Sequence, residues 1–275
     1  MIADLPMYAR PETRPALDAF WALVRDGLRR RGVAAPDGLA HAGGDWALLA
    51  RGDVVLGEAC NLPLRTALQG RVRMVGTSDH GLPGVPPGHY DSVFLSRPDG
   101  PSPEEAALGG LALAVNEGGS HSGWGAPQHW AGLRDLPTFR AGMVTGSHVA
   151  SARAVAEGDA ALTAVDRITW GMIQRWEPAL AARLRERGRT PPSPGQTLVT
   201  AARDPRPHRA AVREALRCLP RLHAGTLTLR GLVALPSTAF DLPVPPPLDA
   251  RLCARSNDCL DVRPDTGPAA RRDAA

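Results

Sequence analysis

The sequence predicts an α/β protein built on mainly parallel sheets, and three observations carry that reading. Short apolar runs alternate with helical patterns over residues 1–240, as in strand–helix–strand units with right-handed crossovers. Several of those runs end in a turn rich in Gly and Ser that leads straight into a helix. The chain has 275 residues and 43% hydrophobic composition, enough to bury a sizeable core in one large domain or two modest ones.

Residues 1–5 open as a short strand. Thr13 stands where it can cap a helix with Pro15 in the first turn. Leu17, Phe20, Trp21, Val24 and Leu28 follow at 3–4 spacing, one buried helical face, and Gly32 is its C-terminal stop. Residues 53–60 (DVVLGEAC) read as a buried strand entering a short helix near Asn61, and 71–77 and 91–97 as further strands. Ser102 with Glu105 forms a capping box. A strand over 111–115 leads through a Gly/Ser turn to a helix from about Ser122. A strand over 138–144 precedes a helix over 147–157 closed by Gly158, and a strand over 160–165 precedes a helix over 167–176. A strand over 196–201 leads to a long amphipathic helix over 204–219. From Pro243 the sequence turns to Pro, then Arg, Asp and Ala, with too few large apolar residues to offset its ordering entropy. Residues 243–275 therefore read as a disordered tail.

Composition excludes several classes. The net charge is +4, yet all 32 basic residues are arginine, a codon-usage pattern rather than a functional signal. The 28 acidic residues are interspersed with them and aromatics are only 4%, so the charged stripe of a nucleic-acid binder is missing. Mean hydropathy is −0.18, and no apolar run reaches the roughly 18 residues of a membrane-inserted helix. The opening residues lack the basic and apolar regions of a secretory signal, which as written implies a cytoplasmic chain. Cys60, Cys218, Cys253 and Cys259 are too scattered for a disulfide framework, and Cys253 and Cys259 read as bland residues of the tail. His80, His89, His121 and His129 lack metal-ligand spacing, and there is no P-loop, strand-anchored dinucleotide fingerprint or GxSxG elbow. No metal and no cofactor are expected.

In open α/β sheets ligands bind beyond the carboxyl ends of the strands, which directs attention to the loops after Leu5, Ala59, Val115, Val144 and Val165. The loop after Val115 reads Asn116-Glu117-Gly118-Gly119-Ser120-His121-Ser122-Gly123-Trp124. Small residues, two hydroxyls and a following helix start make an uncharged anion cradle; a mobile Gly-rich turn with Ser122 as a plain N-cap is the alternative. The loop Thr145-Gly146-Ser147-His148 repeats the arrangement and places His148 in the first turn of a helix. Asp166 ends its strand at the same rim, as a ligand residue or as a helix cap. Cys60 at a helix start reads either as a nucleophile of lowered pKa or as a small packing residue. No arginine sits in either cradle loop.

These residues, in this order, resemble the phosphonate/phosphate-type substrate-binding proteins of ABC transporters, which have the type 2 periplasmic binding protein fold. The resemblance rests on the Ser-x-Ser-Gly-aromatic turn Ser120-His121-Ser122-Gly123-Trp124. It rests too on Gly146-Ser147-His148 leading through an Ala/Val-rich helix to Gly158-Asp159-Ala160, on Tyr90-Asp91-Ser92, and on the Pro-rich return 191–195. It covers residues 1–240. Where many relatives carry an aromatic after the DVVLGEA strand, this chain has Ala59-Cys60. The resemblance implies two lobes, residues 1–95 plus 197–242 and residues 96–196, joined by two crossover strands near 93–97 and 196–200 and closing around the ligand. It implies that Ser120, Ser122, Gly123, Ser147 and His148 hold a small anionic head group, with Tyr8, Asn61, Tyr90 and Asp166 lining the remainder. It further implies a monomer working beside an ABC permease, periplasmic and without catalysis. Two other readings remain open. One is a cytoplasmic enzyme on the same fold, like certain menaquinone-biosynthesis dehydratases or pyrimidine-synthesising proteins, using Cys60, His148 and Asp166. The other is a cytoplasmic sensor whose closed form binds a protein partner.

Overall fold

The computed structural model describes residues 1–43, 46–249 and 252. In chain order the strands are β1 (Ile2–Asp4), β2 (Val54–Ala59), β3 (Arg73–Asp79), β4 (His89–Tyr90), β5 (Ser92–Ser96) and β6 (Ala112–Val115). There follow β7 (Arg140–Val144), β8 (Leu162–Asp166), β9 (Arg185–Arg189), β10 (Ser193–Pro194), β11 (Thr197–Thr200) and β12 (Gly231–Val233). The helices are α1 (Arg14–Arg30), α2 (Trp46–Leu49), α3 (Asn61–Leu64), α4 (Pro103–Leu108) and α5 (Ala126–Gly132). They continue with α6 (His148–Glu157), α7 (Arg167–Trp176), α8 (Pro178–Ala181), α9 (Arg206–Cys218) and α10 (Arg221–Leu227).

Two five-stranded sheets organise the chain, ordered β1-β2-β11-β3-β12 and β7-β6-β8-β5-β9. Both are mixed, which corrects the expectation of mainly parallel sheets. β11 runs antiparallel between β2 and β3, and β5 runs antiparallel between β8 and β9. The physical reason is the double crossing: β5 brings the chain into the second sheet and β11 returns it to the first, each against the parallel set. The two crossing segments pair as a short antiparallel ladder, Tyr90 opposite Ser193 and His89 opposite Pro194. The crossing expected at 93–97 is thus displaced toward residues 89–90. Val93, Phe94 and Leu95 are fully buried inside the second sheet, covered on one face by α6 and α7 and on the other by Trp130 and Phe139.

The first lobe's core joins α1 to α9. Phe20, Trp21, Val24 and Leu28 pack with Val212 and Ala215, each large side chain contributing about 1.5–3 kcal/mol of burial. Gly27 permits the close helix approach, since a Cβ there would lie 3.2 Å from that of Ala211. Thr13 precedes α1 but does not cap it: its hydroxyl donates to the Tyr8 carbonyl at 2.6 Å and accepts from the Arg10 N–H at 2.8 Å, fixing the turn that leads to the interlobe cleft. The Ser102–Glu105 capping box forms as written, with both reciprocal hydrogen bonds present.

Residues 243–249, expected in the tail, are instead laid across both lobes. Arg65 donates to the carbonyls of Leu242 and Pro243, Trp124 Nε1 donates to the Pro246 carbonyl at 2.8 Å, and Leu248 packs on the second lobe's core. Docking on Trp124 supplies the burial that this segment cannot supply for itself. The rest of the tail, with Cys253 and Cys259, lies outside the described residues. Among the described residues no helix is long and apolar enough to cross a membrane.

Candidate functional site

A cleft of about 330 Å³ lies between the lobes. The β1–α1 loop, Arg14, Cys60 and the crossing residue Gln196 line it from one side, and the loops after β6, β7 and β8 from the other. Both tyrosines of the chain sit in the cluster beneath it, Tyr8 and Tyr90 packed with Ile168 and Met172.

The loop after β6 enters α5 through a π-helical turn, His121–Gly125, which widens the helix start. Ser120, not Ser122, caps that turn: its hydroxyl accepts from the Gly123 N–H at 3.0 Å. Ser122 is thereby released from capping and shares a 2.8 Å hydrogen bond with His148 Nε2, with Ser120 Oγ 3.3 Å away. Gly123 lies behind this pair. Its N–H is spent on Ser120, and a Cβ there would collide with the Asn116 amide oxygen and come within 3.2 Å of the His148 ring. Gly123 is therefore needed for close packing but does not line the cleft, a correction to its expected role. Across the cleft floor, Ser147 caps α6 by accepting from the Ala150 N–H, so His148 stands in the first turn as the spacing predicts.

Asp166 fills both roles that the sequence left open. One carboxylate oxygen caps α7 by accepting from the Thr169 N–H at 2.8 Å, while the other is 3.6 Å from His148 Nε2 and borders the cleft. Burial holds the His148 imidazole below its ordinary pKa, and Asp166 pulls it partly back. Ser122, His148 and Asp166 thus meet, but at the same ring nitrogen. A nucleophilic triad needs serine and carboxylate on opposite nitrogens of the ring, so this arrangement is a polar cluster, not a proton relay.

Cys60 borders the cleft, yet burial pushes its thiol up, outweighing the His121 N–H that donates to its sulfur at 3.3 Å. The lowered pKa that the nucleophile reading requires is reversed. Two expected lining residues lie one layer back. Asn61 is fully buried and its side-chain oxygen accepts from Arg65 Nε at 2.9 Å. Tyr90 is 1% exposed with its hydroxyl 3.8 Å from the Cys60 sulfur. Neither lines the cleft.

Several cleft groups were not singled out by sequence as ligand residues. Arg10 lines the mouth and binds Glu177 of the other lobe at 2.6 Å, joining the lobes. Arg14 stands beside it at the start of α1. Among the described residues the buried Asn116 and Gln196 each leave a side-chain oxygen without a hydrogen-bond partner, as does the buried hydroxyl of Tyr8, which the sequence did place at the cleft. No local signal marks Arg10, Arg14 or Gln196, because only the tertiary fold brings them to the β6–β8 loops. Asn116, directly after a strand, carried the faint signal of strand-end position. Among the described residues no group of three or more His, Cys, Asp and Glu is arranged to hold a metal ion.

Residues 48–234, about two thirds of the chain, match the family of ABC transporter phosphonate periplasmic substrate-binding proteins. The chain belongs to this family. As a member of it, the protein is a solute-binding protein on the two-lobed periplasmic-binding-protein fold, and solved structures share that fold. XAC2383 from Xanthomonas citri, bound to ATP, superposes with a TM-score of 0.62 at 18% identity, over 86% of this chain and 92% of that one. A binding-protein component of an ABC phosphonate transporter (PA3383) from Pseudomonas aeruginosa gives 0.61 at 16% identity, over 87% and 82%. PhnD1 from Prochlorococcus marinus, in complex with methylphosphonate, gives 0.62 at 14% identity, over 87% and 94%. No curated protein matches the sequence.

Proposed function

We propose that the protein captures a small phosphonate- or phosphate-type oxyanion between its lobes and delivers it to an ABC permease on the periplasmic side of the membrane, without chemical turnover. One observation carries the reading. Polar atoms from both lobes converge on a cleft sized for a small molecule, and some of them are buried with no protein partner among the described residues, which leaves them able to meet a ligand. The Tyr8 hydroxyl and the Ser122–His148 pair supply donors, and the start of α6 turns its positive end toward the same cleft. The Asn116 and Gln196 oxygens and the Asp166 carboxylate are acceptors. A ligand matching both sets carries an oxyanion together with a P–O–H or N–H group. Arg10 and Arg14 at the mouth add the attraction that the cradle loops themselves lack.

The test is native mass spectrometry of freshly purified protein, to identify any co-purified ligand, followed by calorimetry with methylphosphonate and inorganic phosphate. One-to-one binding of either anion is expected. Binding of neither, with an uncharged molecule retained in the cleft, overturns the proposal.

A further inference from the structure

A second cavity, about 540 Å³, runs along the neighbouring face of α7. Met172 is the one side chain of α7 that borders both it and the cleft. One wall is α7 of the second lobe; the other is the first lobe's loop after β3, with the segment joining α10 to β12. Nothing in the capture of an oxyanion at the cleft uses this space.

Its chemistry is distinct. Arg167, Arg175 and Arg230 line it, and no acidic side chain does so among the described residues, although acidic and basic residues are interspersed over the chain as a whole. Arg167 is held by Asp91 at 2.9 Å and by the Pro83 carbonyl at 3.0 Å. Arg175 lies over the Trp176 ring with its guanidinium 4.9 Å from the centroid. Arg230 lies across Gly81, where any Cβ would collide with it, and its guanidinium makes no ion pair or hydrogen bond among the described residues. Between these cations the lining is apolar: Leu82, Ile168, Trp176 and Leu229.

One buried polar side chain, His80, also borders the cavity. His80 is 8% exposed, and its Nδ1 is 3.1 Å from Thr228 Oγ1. The Thr228 hydroxyl donates its own proton to the Leu227 carbonyl, so it accepts from Nδ1–H. That leaves Nε2 as an acceptor, and it is buried without a partner among the described residues.

We propose that this cavity is a second ligand site for a ring-bearing organic anion. The apolar ring would lie among Trp176, Leu82 and Leu229, the acidic group on Arg175 and Arg230, and a hydroxyl or amine of the ligand would meet His80 Nε2. The volume falls within the usual range for small-molecule sites, about 300–1,000 Å³, and aromatic walls with arginine are the ordinary chemistry of such recognition.

The probe is 8-anilinonaphthalene-1-sulfonate, an anion on a fused aromatic ring, titrated by fluorescence into the full chain. One saturable site with blue-shifted emission is expected, undisturbed by excess methylphosphonate and by Ser122→Ala. The double variant Arg175→Glu/Arg230→Glu, at two exposed positions, should weaken it by about tenfold or more. Gly171→Phe is an independent block: Gly171 lines the cavity and a Cβ there meets open space, so the variant folds while filling the site. Undiminished probe binding in both variants, no saturable site, or displacement by methylphosphonate overturns the proposal.

Discussion

Removing Ser122 and His148, singly and together, tests whether the cluster at the second lobe's rim is the anion's anchor. Ser122 is 2% exposed and its hydroxyl lies 2.8 Å from His148 Nε2. A hydrogen bond to a charged group contributes about 1.5–3 kcal/mol, so Ser122→Ala should raise the Kd for methylphosphonate roughly 10- to 150-fold. His148→Ala should cost a similar amount. Because the two share a hydrogen bond, their effects should fall short of additivity by about 1 kcal/mol. The double variant should therefore lose about 1.5 to 3.5 decades of affinity, less than the product of the single losses. Calorimetry supplies the four Kd values of the cycle, and thermal melts verify folding. Losing one buried hydrogen bond should lower Tm by only a few degrees. A double variant within about threefold of wild type, still folded, would refute the assignment, because no interaction of that class contributes so little.

Gly123→Ala places a methyl against the Asn116 amide and the His148 ring; calorimetry should show at least a tenfold loss of anion affinity, and unchanged affinity would mean the loop yields freely. Arg14→Ala should weaken anion binding severalfold at low salt and hardly at 0.5 M NaCl, as a screened exposed charge does; a salt-independent loss contradicts a steering role. Burial pushes Glu58 up to about 7 from an unfolded value of 4.5, so its ionisation destabilises the fold progressively as pH rises between those values. Glu58→Gln should therefore raise Tm by several degrees at pH 8 and leave it nearly unchanged at pH 4; equal shifts at both pH values would exclude this cause. Trp124→Phe removes the hydrogen bond to the Pro246 carbonyl and should lower stability in urea by about 1 kcal/mol; no change would mean that the docked segment 243–249 contributes nothing.

Elements whose signals are local were legible. The Ser102–Glu105 capping box, the six-residue buried run of β2 and the left-handed Gly158 (φ +97°) that closes α6 all stand where their residue types demand. Elements held by partners were not. β9 reads Arg-Glu-Arg-Gly-Arg, the pattern of an exposed loop; it is a strand because it edges the sheet beside the buried β5, and charges on an edge strand are well tolerated. The crossing was misplaced for a similar reason. The apolar run 93–95 looks the same whether it spans two lobes or lies inside one, and only the pairing of β4 with β10 decides it. Residues 243–249 read as tail because their burial is lent by Trp124 and by the second lobe's core around Leu248.

The site divides along the same line. Ser120, Ser122, Ser147, His148 and Asp166 share one rim because three strand ends of a single sheet bring them there, and strand-end loops are readable from sequence. Tyr8 stands on the facing wall, where its hydroxyl is buried and unpaired among the described residues. Arg10, Arg14 and Gln196 come from the other lobe or the crossing, and their nearness to His148 exists only when the lobes meet. That division has a functional consequence. On the proposed reading, a rim made by one sheet is in place before the lobes close, and the Tyr8 hydroxyl and the Gln196 amide join the ligand from the facing side. On that reading affinity should depend on contacts that close the cleft, among them the Arg10–Glu177 bridge, which spans the lobes at 2.6 Å without touching the Ser122–His148 pair. On the proposed reading, closure takes part in recognition: the rim of the second lobe meets the anion and the first lobe completes its contacts.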